Sequence, residues 1–343
     1  MWEERALRVR GALADLAATG VGVGEVHAAA IRLVDGWVPS ELTCWATLDP
    51  ESLAISSMTS GAGRIPVEYE PLLAAAEYDP AEPHRFAALA QRGQPLARMS
   101  DLTVAELAGS RRATFVWRPL GMGHELRFLF LLDGVCWGAA GMVRSGRDFT
   151  ERELEFLLTV APAIAAATRL ALRTAPSGLE AHDGPAIVVV DRDGSPRSMT
   201  AEAGLWQERL DTTPGLFRTM MAVMAAGLRG SGTGSFRTHV RTRDGHWALL
   251  HASELLGAQE NSTAVCIERA GGLELLGLVL ATHGLTPRER AVCAEVLAGR
   301  STAEIAQSLF ISTNTVQDHL KAIFAKFSVH SRGKLAALLS PML

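Results

Sequence analysis

Residues 312–321 read Ser-Thr-Asn-Thr-Val-Gln-Asp-His-Leu-Lys. Gln317 and Asp318 carry an amide and a carboxylate, the groups that match hydrogen-bond donors and acceptors on base edges. Lys321 carries a cation suited to a phosphate. Spacings of three and four residues place Asn314, Gln317, Asp318 and Lys321 together on one side of a helix. On the other side Val316, Leu320, Ile323, Phe324 and Phe327 fall at i, i+4, i+7, i+8 and i+11, an apolar stripe. This chemistry is hydrogen-bonded reading of a duplex groove, and no bond making is implied. No serine, histidine and acid form a recognisable nucleophilic motif, so no catalytic residues are expected. Cys44, Cys136, Cys266 and Cys293 are far apart and lack a Cys-x-x-Cys pair, so they read as small buried hydrophobes with no metal site. Gly20, Gly22 and Gly24 fail the dinucleotide pattern because Glu25 stands where its third glycine belongs. No Gly-Lys-Ser/Thr triplet occurs, which excludes a P-loop. No cofactor is expected.

The elements that position these residues are signposted. Thr286-Pro287-Arg288-Glu289 predicts a helix start, with threonine as cap, proline in the first helical position and glutamate closing the box. Val292, Cys293, Val296 and Leu297 supply its apolar stripe and Gly299 its end. Ser301-Thr302-Ala303-Glu304 is a second capping box, opening a helix that buries Ile305, Ala306 and Leu309. Phe310-Ile311 forms the turn, Ser312 caps the third helix, and a short fourth helix runs from Arg332 to Leu339. Two capped helices joined by a tight turn make a helix-turn-helix spanning Ser301 to Leu320, whose second helix enters the major groove.

Leu285-Thr286-Pro287-Arg288-Glu289, Ala298-Gly299-Arg300-Ser301, Glu304-Ile305-Ala306, Leu309, Ile311-Ser312, Thr315-Val316, His319, Ile323, Lys326, Val329 and Arg332 follow one another without a gap. Together they resemble the LuxR/GerE-type DNA-binding domain. That resemblance implies an all-α domain of four helices over residues 285–343, bound to double-stranded DNA as a homodimer that the last helix helps to form. It places Gln317, Asp318 and Lys321 toward bases, and Thr313, Asn314, Thr315 and His319 toward phosphates or packing. The sequence departs from the family at Thr302-Ala303, where Asn-Lys is usual, at Gln317, where lysine is frequent, and at Lys326-Phe327, where Lys-Leu is usual. Two lysines fewer predict a shallower dependence of binding on salt. The receiver domain that often precedes this domain needs a late lysine. The chain has only Lys321, Lys326 and Lys334, which argues against phospho-acceptor signalling.

Charge agrees with a DNA-binding tail. The chain is −4 overall, yet residues 281–343 hold seven Lys/Arg against four acids, leaving −7 on residues 1–280. A small basic tail on an acidic body suits a phosphate contact. The 48% apolar content of the 343 residues is enough for several cores. The start, Met1-Trp2-Glu3-Glu4-Arg5, has no signal-peptide pattern, and an apolar run such as Phe128–Leu132 is too short to span a membrane. A cytoplasmic protein is expected. The alanine- and arginine-rich composition points to a GC-rich bacterial genome.

Ahead of the tail, helices are expected over residues 4–18 and 26–34, and strands over 43–48, 55–59, 115–120, 125–132 and 135–143. Asp133-Gly134 marks a hairpin, and Thr150-Glu151-Arg152-Glu153 opens a long helix to Arg173 that contains Pro162. This order over residues 1–173 resembles a GAF domain, an α/β small-molecule sensing and dimerisation fold. Residues 174–185 read as a linker. A strand over 186–190, helices over 201–209 and 216–228, a glycine/serine loop over 230–235 and strands over 236–243, 246–252 and 263–268 resemble a PAS-like α+β domain over 186–270. A connector over 271–284, rich in leucine, joins it to the tail. The fold class is thus α+β multidomain. The front domains are expected either to bind a small-molecule effector or only to dimerise or contact a partner protein such as RNA polymerase. A roomy pocket with converging polar groups separates these options. Trp37, Trp45, Trp117 and Trp137 are candidate pocket aromatics that core packing accounts for equally well. His84, His124 and His251 read as satisfied polar residues, and the ligand residues stay unassigned.

Overall fold

Successive side chains of a strand point to opposite faces of its sheet. In the computed structural model, which describes residues 2–61, 63–173, 186–212, 215–256 and 262–340, the strands build two antiparallel sheets. The expected linker at 174–185 lies outside the described residues. So do Met1 and the last three residues, 341–343, of the domain expected over 285–343. The chain divides into two compact units, Met1–Arg269 and Ala270–Leu343.

The first unit begins with helices α1 (Trp2–Ala18) and α2 (Val23–Asp35), then strands β1 (Leu42–Leu48) and β2 (Ile55–Ser60). Next come α3 (Glu70–Tyr78), α4 (Phe86–Gln91), β3 (Leu96–Arg98) and α5 (Val104–Gly109), followed by β4 (His124–Leu132), β5 (Val135–Arg144) and α6 (Glu151–Leu172). The first sheet has the order β2-β1-β5-β4-β3. The β4–β5 hairpin turns at Asp133 and Gly134, both with positive φ, as Asp-Gly requires. One face of this sheet carries Trp45, Phe128 and Phe130 in mutual edge and tilted ring contacts. His27 of α2 joins them. Thr168 Oγ1 gives its proton to Ile164 O, so His27 Nε2 donates to Thr168 Oγ1 across 3.0 Å. Burial pushes the His27 pKa down to about 4, which keeps the ring neutral. α6 starts at the expected box, with Thr150 Oγ1 accepting from Glu153 N. It is the one described helix long and apolar enough to cross a membrane, and much of it is buried against the unit's own elements.

The expected strand at 115–120 is corrected. Ala113–Trp117 wind into a single π-helical turn, with Arg118 N donating to Ala113 O. The pattern misleads because the apolar content of Phe115, Val116 and Trp117 suits a strand as well as a helical turn; in the turn Val116 and Trp117 are buried and Phe115 is exposed.

The rest of the unit contains β6 (Ala186–Val190), β7 (Pro196–Met199), α7 (Ala201–Leu210), α8 (Leu216–Ser231), β8 (Ser235–Arg241), β9 (Trp247–Glu254) and β10 (Thr263–Arg269). Their order, β7-β6-β10-β9-β8, repeats that of the first sheet: second, first, fifth, fourth, third. The loop expected from residue 230 starts later, because α8 continues through Ser231. The two sheets share one core. Leu48 and Leu129 of the first join Val188, Val265 and Ile267 of the second, with Met220, Val223 and Met224 of α8 among them. Polar ties cross the same boundary: His239 N and Nδ1 both lie within hydrogen-bond distance of Asp49 Oδ2, at 3.1 and 2.7 Å.

α8 packs directly on α3, and Gly230 permits it, because a Cβ there would overlap the Tyr78 carbonyl oxygen. Gly230→Ala should therefore lower the melting temperature, its overlap costing about 1–3 kcal/mol against a helix gain of about 1 kcal/mol. Gly204→Ala, in α7 where a Cβ meets nothing within 4 Å, should instead raise it by about 0.5–1 kcal/mol. Thermal melts of the two variants beside the parent check both signs.

The second unit is all helical: α9 (Gly272–Thr282), α10 (Pro287–Leu297), α11 (Thr302–Ser308), α12 (Thr313–Phe327) and α13 (Arg332–Leu339). Its core joins Leu276 and Leu280 of α9 to Val292, Ile305, Val316, Leu320, Ile323, Phe327, Leu335 and Leu339. The leucines read as a connector thus contribute two side chains to this core.

Candidate nucleic-acid interface

Helices α10 to α13 each start where a side-chain oxygen satisfies a first-turn N–H. Thr286 and Ser301 form reciprocal capping boxes with Glu289 and Glu304. Ser312 Oγ accepts from Thr315 N at 3.1 Å and lies 2.8 Å from Thr315 Oγ1, which ties Thr315 to the helix start. The turn between α11 and α12 closes with Ile311 N donating to Ala306 O. It holds Phe310 at positive φ and 94% exposed.

Burial of Val316, Leu320, Ile323 and Phe327 fixes the rotation of α12. Thr313, Asn314, Thr315, Gln317, Asp318 and Lys321 are exposed on its other side, and His319 is half-buried at the edge. The sequence-predicted residues therefore come together on one surface. Lys321 Nζ stands 3.6 Å from Asp318 Oδ1, an exposed pair worth little in water and open to exchange for a phosphate.

Sequence counting did not reveal that several cations of this unit are already in use. Lys326 Nζ donates to Glu289 Oε2 at 2.6 Å and to Gly284 O at 2.8 Å, binding the end of α12 to the start of α10. Arg288 Nη2 donates to Leu309 O at 2.5 Å, and Arg300 bonds Glu295 and Ser308. Burial opposes a charge on Glu289, yet Lys326 and the Thr286 bonds outweigh it and hold the carboxyl below the usual glutamate range. This is a long-range pairing between helices, and nothing in local periodicity marks it.

In the first unit, two cavities bear on the effector question. The larger, about 410 Å³, lies among Gly22, Thr47, Ser57, Arg241 and Trp247. Its polar groups satisfy one another: Thr47 bonds Ser57, and Arg241 donates to Leu172 O. The smaller, about 100 Å³, is lined by Arg112, Arg127, Glu77, Glu125 and Trp117 beneath apolar side chains. Of the candidate tryptophans only Trp117 lines it. Trp45 and Trp137 are fully buried core, and Trp37 packs against Phe156. His124 lies 3.5 Å from Asp148, while His84 and His251 are half-buried.

With Glu289 charged in the fold at a depressed pKa, the stability it contributes is present above the ordinary glutamate value and lost as pH falls through the folded one. Lys326→Met should destabilise the unit by about 2 kcal/mol and shrink this acid-side loss. Denaturant titrations of parent and variant from neutral to acid pH measure both.

Residues 283–339 match the model of bacterial regulatory proteins of the luxR family. The chain is 48% identical over 48 residues to the CsgBAC operon transcriptional regulatory protein of Escherichia coli, covering 14% of this chain and 22% of that protein. The probable csgAB operon transcriptional regulatory protein of Salmonella typhimurium gives the same figures. An uncharacterised transcriptional regulatory protein of Bacillus subtilis, YhcZ, is 44% identical over 54 residues, 16% of this chain and 25% of its own length. The chain thus spans a quarter or less of these relatives. Among solved structures, a ligand–DNA complex of Vibrio cholerae VqmA aligns at 19% identity over 45% of this chain and 80% of that one, with a TM-score of 0.22. A phage VqmA–DPO complex aligns at 14% over 46% and 82%, with a TM-score of 0.20. The geometry of α11 and α12 and the match over residues 283–339 agree: the C-terminal unit carries a helix-turn-helix domain of the luxR family.

Proposed function

We propose that the chain is a cytoplasmic, sequence-specific DNA-binding transcription regulator, homodimeric on a two-fold site, with a regulatory first unit. The observation that carries this reading is the exposed polar face of α12, set opposite its buried stripe and capped so that its first turn is free to approach a groove. Gln317 reads adenine through its amide, and Asp318 accepts from the amino group of cytosine. Lys321 leaves Asp318 for a phosphate. Thr313, Asn314, Thr315 and His319 contact phosphates or pack. Leu338, exposed on α13, supports a dimer contact through that helix. The repeated strand order of the first unit supports reading its halves as GAF-like (1–173) and PAS-like (186–270) modules. With residues 271–284 as connector, they pass an effector or partner signal to the tail.

Gln317→Ala and Asp318→Ala should each relax discrimination at a different base position, by about 1–3 kcal/mol per position. Binding to duplexes carrying single base-pair changes reads this out. An equal loss on every duplex from both variants contradicts the assignment.

A further inference from the structure

The smaller cavity of the first unit has a composition that selects its occupant. On β4, Glu125, Arg127 and Leu129 alternate with Leu126, Phe128 and Phe130, so the charged pair faces away from the aromatic cluster. Arg127 stands in register with Gly141, and Gly141 with Cys44, across β4, β5 and β1. The missing side chain of Gly141 opens the floor: a Cβ there would meet nothing within 4 Å. Ile55, Met58, Leu73, Ala74 and Val143 provide apolar walls. Val223 and Thr219 of α8 complete them, with Thr219 Oγ1 donating to Glu70 Oε2 at 2.8 Å beside the half-exposed Arg64.

The polar floor is a buried network of two guanidiniums and three carboxylates. Glu77 accepts from Phe86 N and pairs with Arg127; Glu125 pairs with Arg112; Glu82 accepts from Ser110 and Arg111 N and pairs with Arg112. Every carboxylate is engaged. Among the described residues that line the cavity, Arg127 Nε and Trp117 Nε1 have no hydrogen-bond partner and Arg112 Nη1 has only its ion-pair contact with Glu82, and all three residues are at least 96% buried. Buried donors left unpaired are costly, and an acceptor from outside removes that cost. With Glu70 and Arg64 counted, an anionic occupant would add a fifth negative charge against three guanidiniums. A cationic one would find only carboxylates already bonded.

We propose that this cavity is the effector site and takes a compact neutral molecule with one hydrogen-bond acceptor, enclosed on one side by α8. This rests on the reading that the first unit binds a small-molecule effector. An apolar cavity of ~150 Å³ accepts benzene, so about 100 Å³ holds about four non-hydrogen atoms. Because the walls come from both sheet modules, occupancy strengthens the docking of α8 on α3.

The test titrates the full chain with four probes of four non-hydrogen atoms each: acetone, isobutene, acetate and isopropylamine, followed by saturation-transfer NMR and melting temperature. Acetone should bind at least tenfold more tightly than each of the others. Gly141→Val, which fills the floor with a strand-favouring side chain, and Val223→Leu, which fills it from α8, should each weaken it at least tenfold without lowering the unliganded melting temperature by more than a few degrees. No detectable binding, preference for a charged probe or for isobutene, or undiminished binding in Gly141→Val overturns the proposal, as does a Val223→Leu variant that binds like the parent. Should either variant fail to fold, the ranking of the four probes on the parent chain decides. Duplex binding by the same parent preparation is read separately, so loss of the effector class leaves the DNA-binding reading standing, and the reverse.

Discussion

Everything proposed for the C-terminal unit depends on the burial of one face of α12. Val316, Leu320, Ile323 and Phe327 recur with helical period and lie in a core built from α9, α10, α11 and α13. Once they are buried, the rotation of the helix is fixed, and Gln317, Asp318 and Lys321 have no direction but outward. Lys326 and Glu289 then set its tilt against α10 by a partly buried ion pair. The reading face is thus positioned by packing on the reverse side and by charge at the far end, and its own residues stay uncommitted apart from one weak exposed pair.

The first unit follows another logic. Two sheets of the same strand order share a core through α8, whose small residues allow contact with α3 on one side and the second sheet on the other. Its aromatic cluster faces α2 and α6, where burial is complete and His27 is kept neutral. The opposite face of the first sheet holds paired charges beneath a small void. Burying five charged groups costs more than burying apolar residues of like volume, so this face is a poor solution for stability alone.

Much of this was legible in the sequence because its signals are local. Capping boxes at Thr150, Thr286 and Ser301, the Asp133-Gly134 turn and the α12 stripe each involve residues within a few positions of one another, and all appear as expected. What was missed is long-range or too short to show a period. β3 and β7 have three and four residues. The π turn at Ala113–Trp117 mimics a strand in its apolar content. The partners of Arg288, Arg300 and Lys326 lie on other helices, so counting charges overstated the cations available to phosphate. The cavity was invisible because Arg127, Gly141 and Val223 meet only through sheet register and helix packing.

The most direct test of the account is selection of bound sequences from a random duplex library by the full chain and by residues 271–343 in parallel. The account predicts that the C-terminal unit enriches a two-fold symmetric sequence at moderate salt, with the full chain enriching the same sequence or being held from it by its first unit. Enrichment of nothing by either preparation would contradict the DNA-reading role of α12.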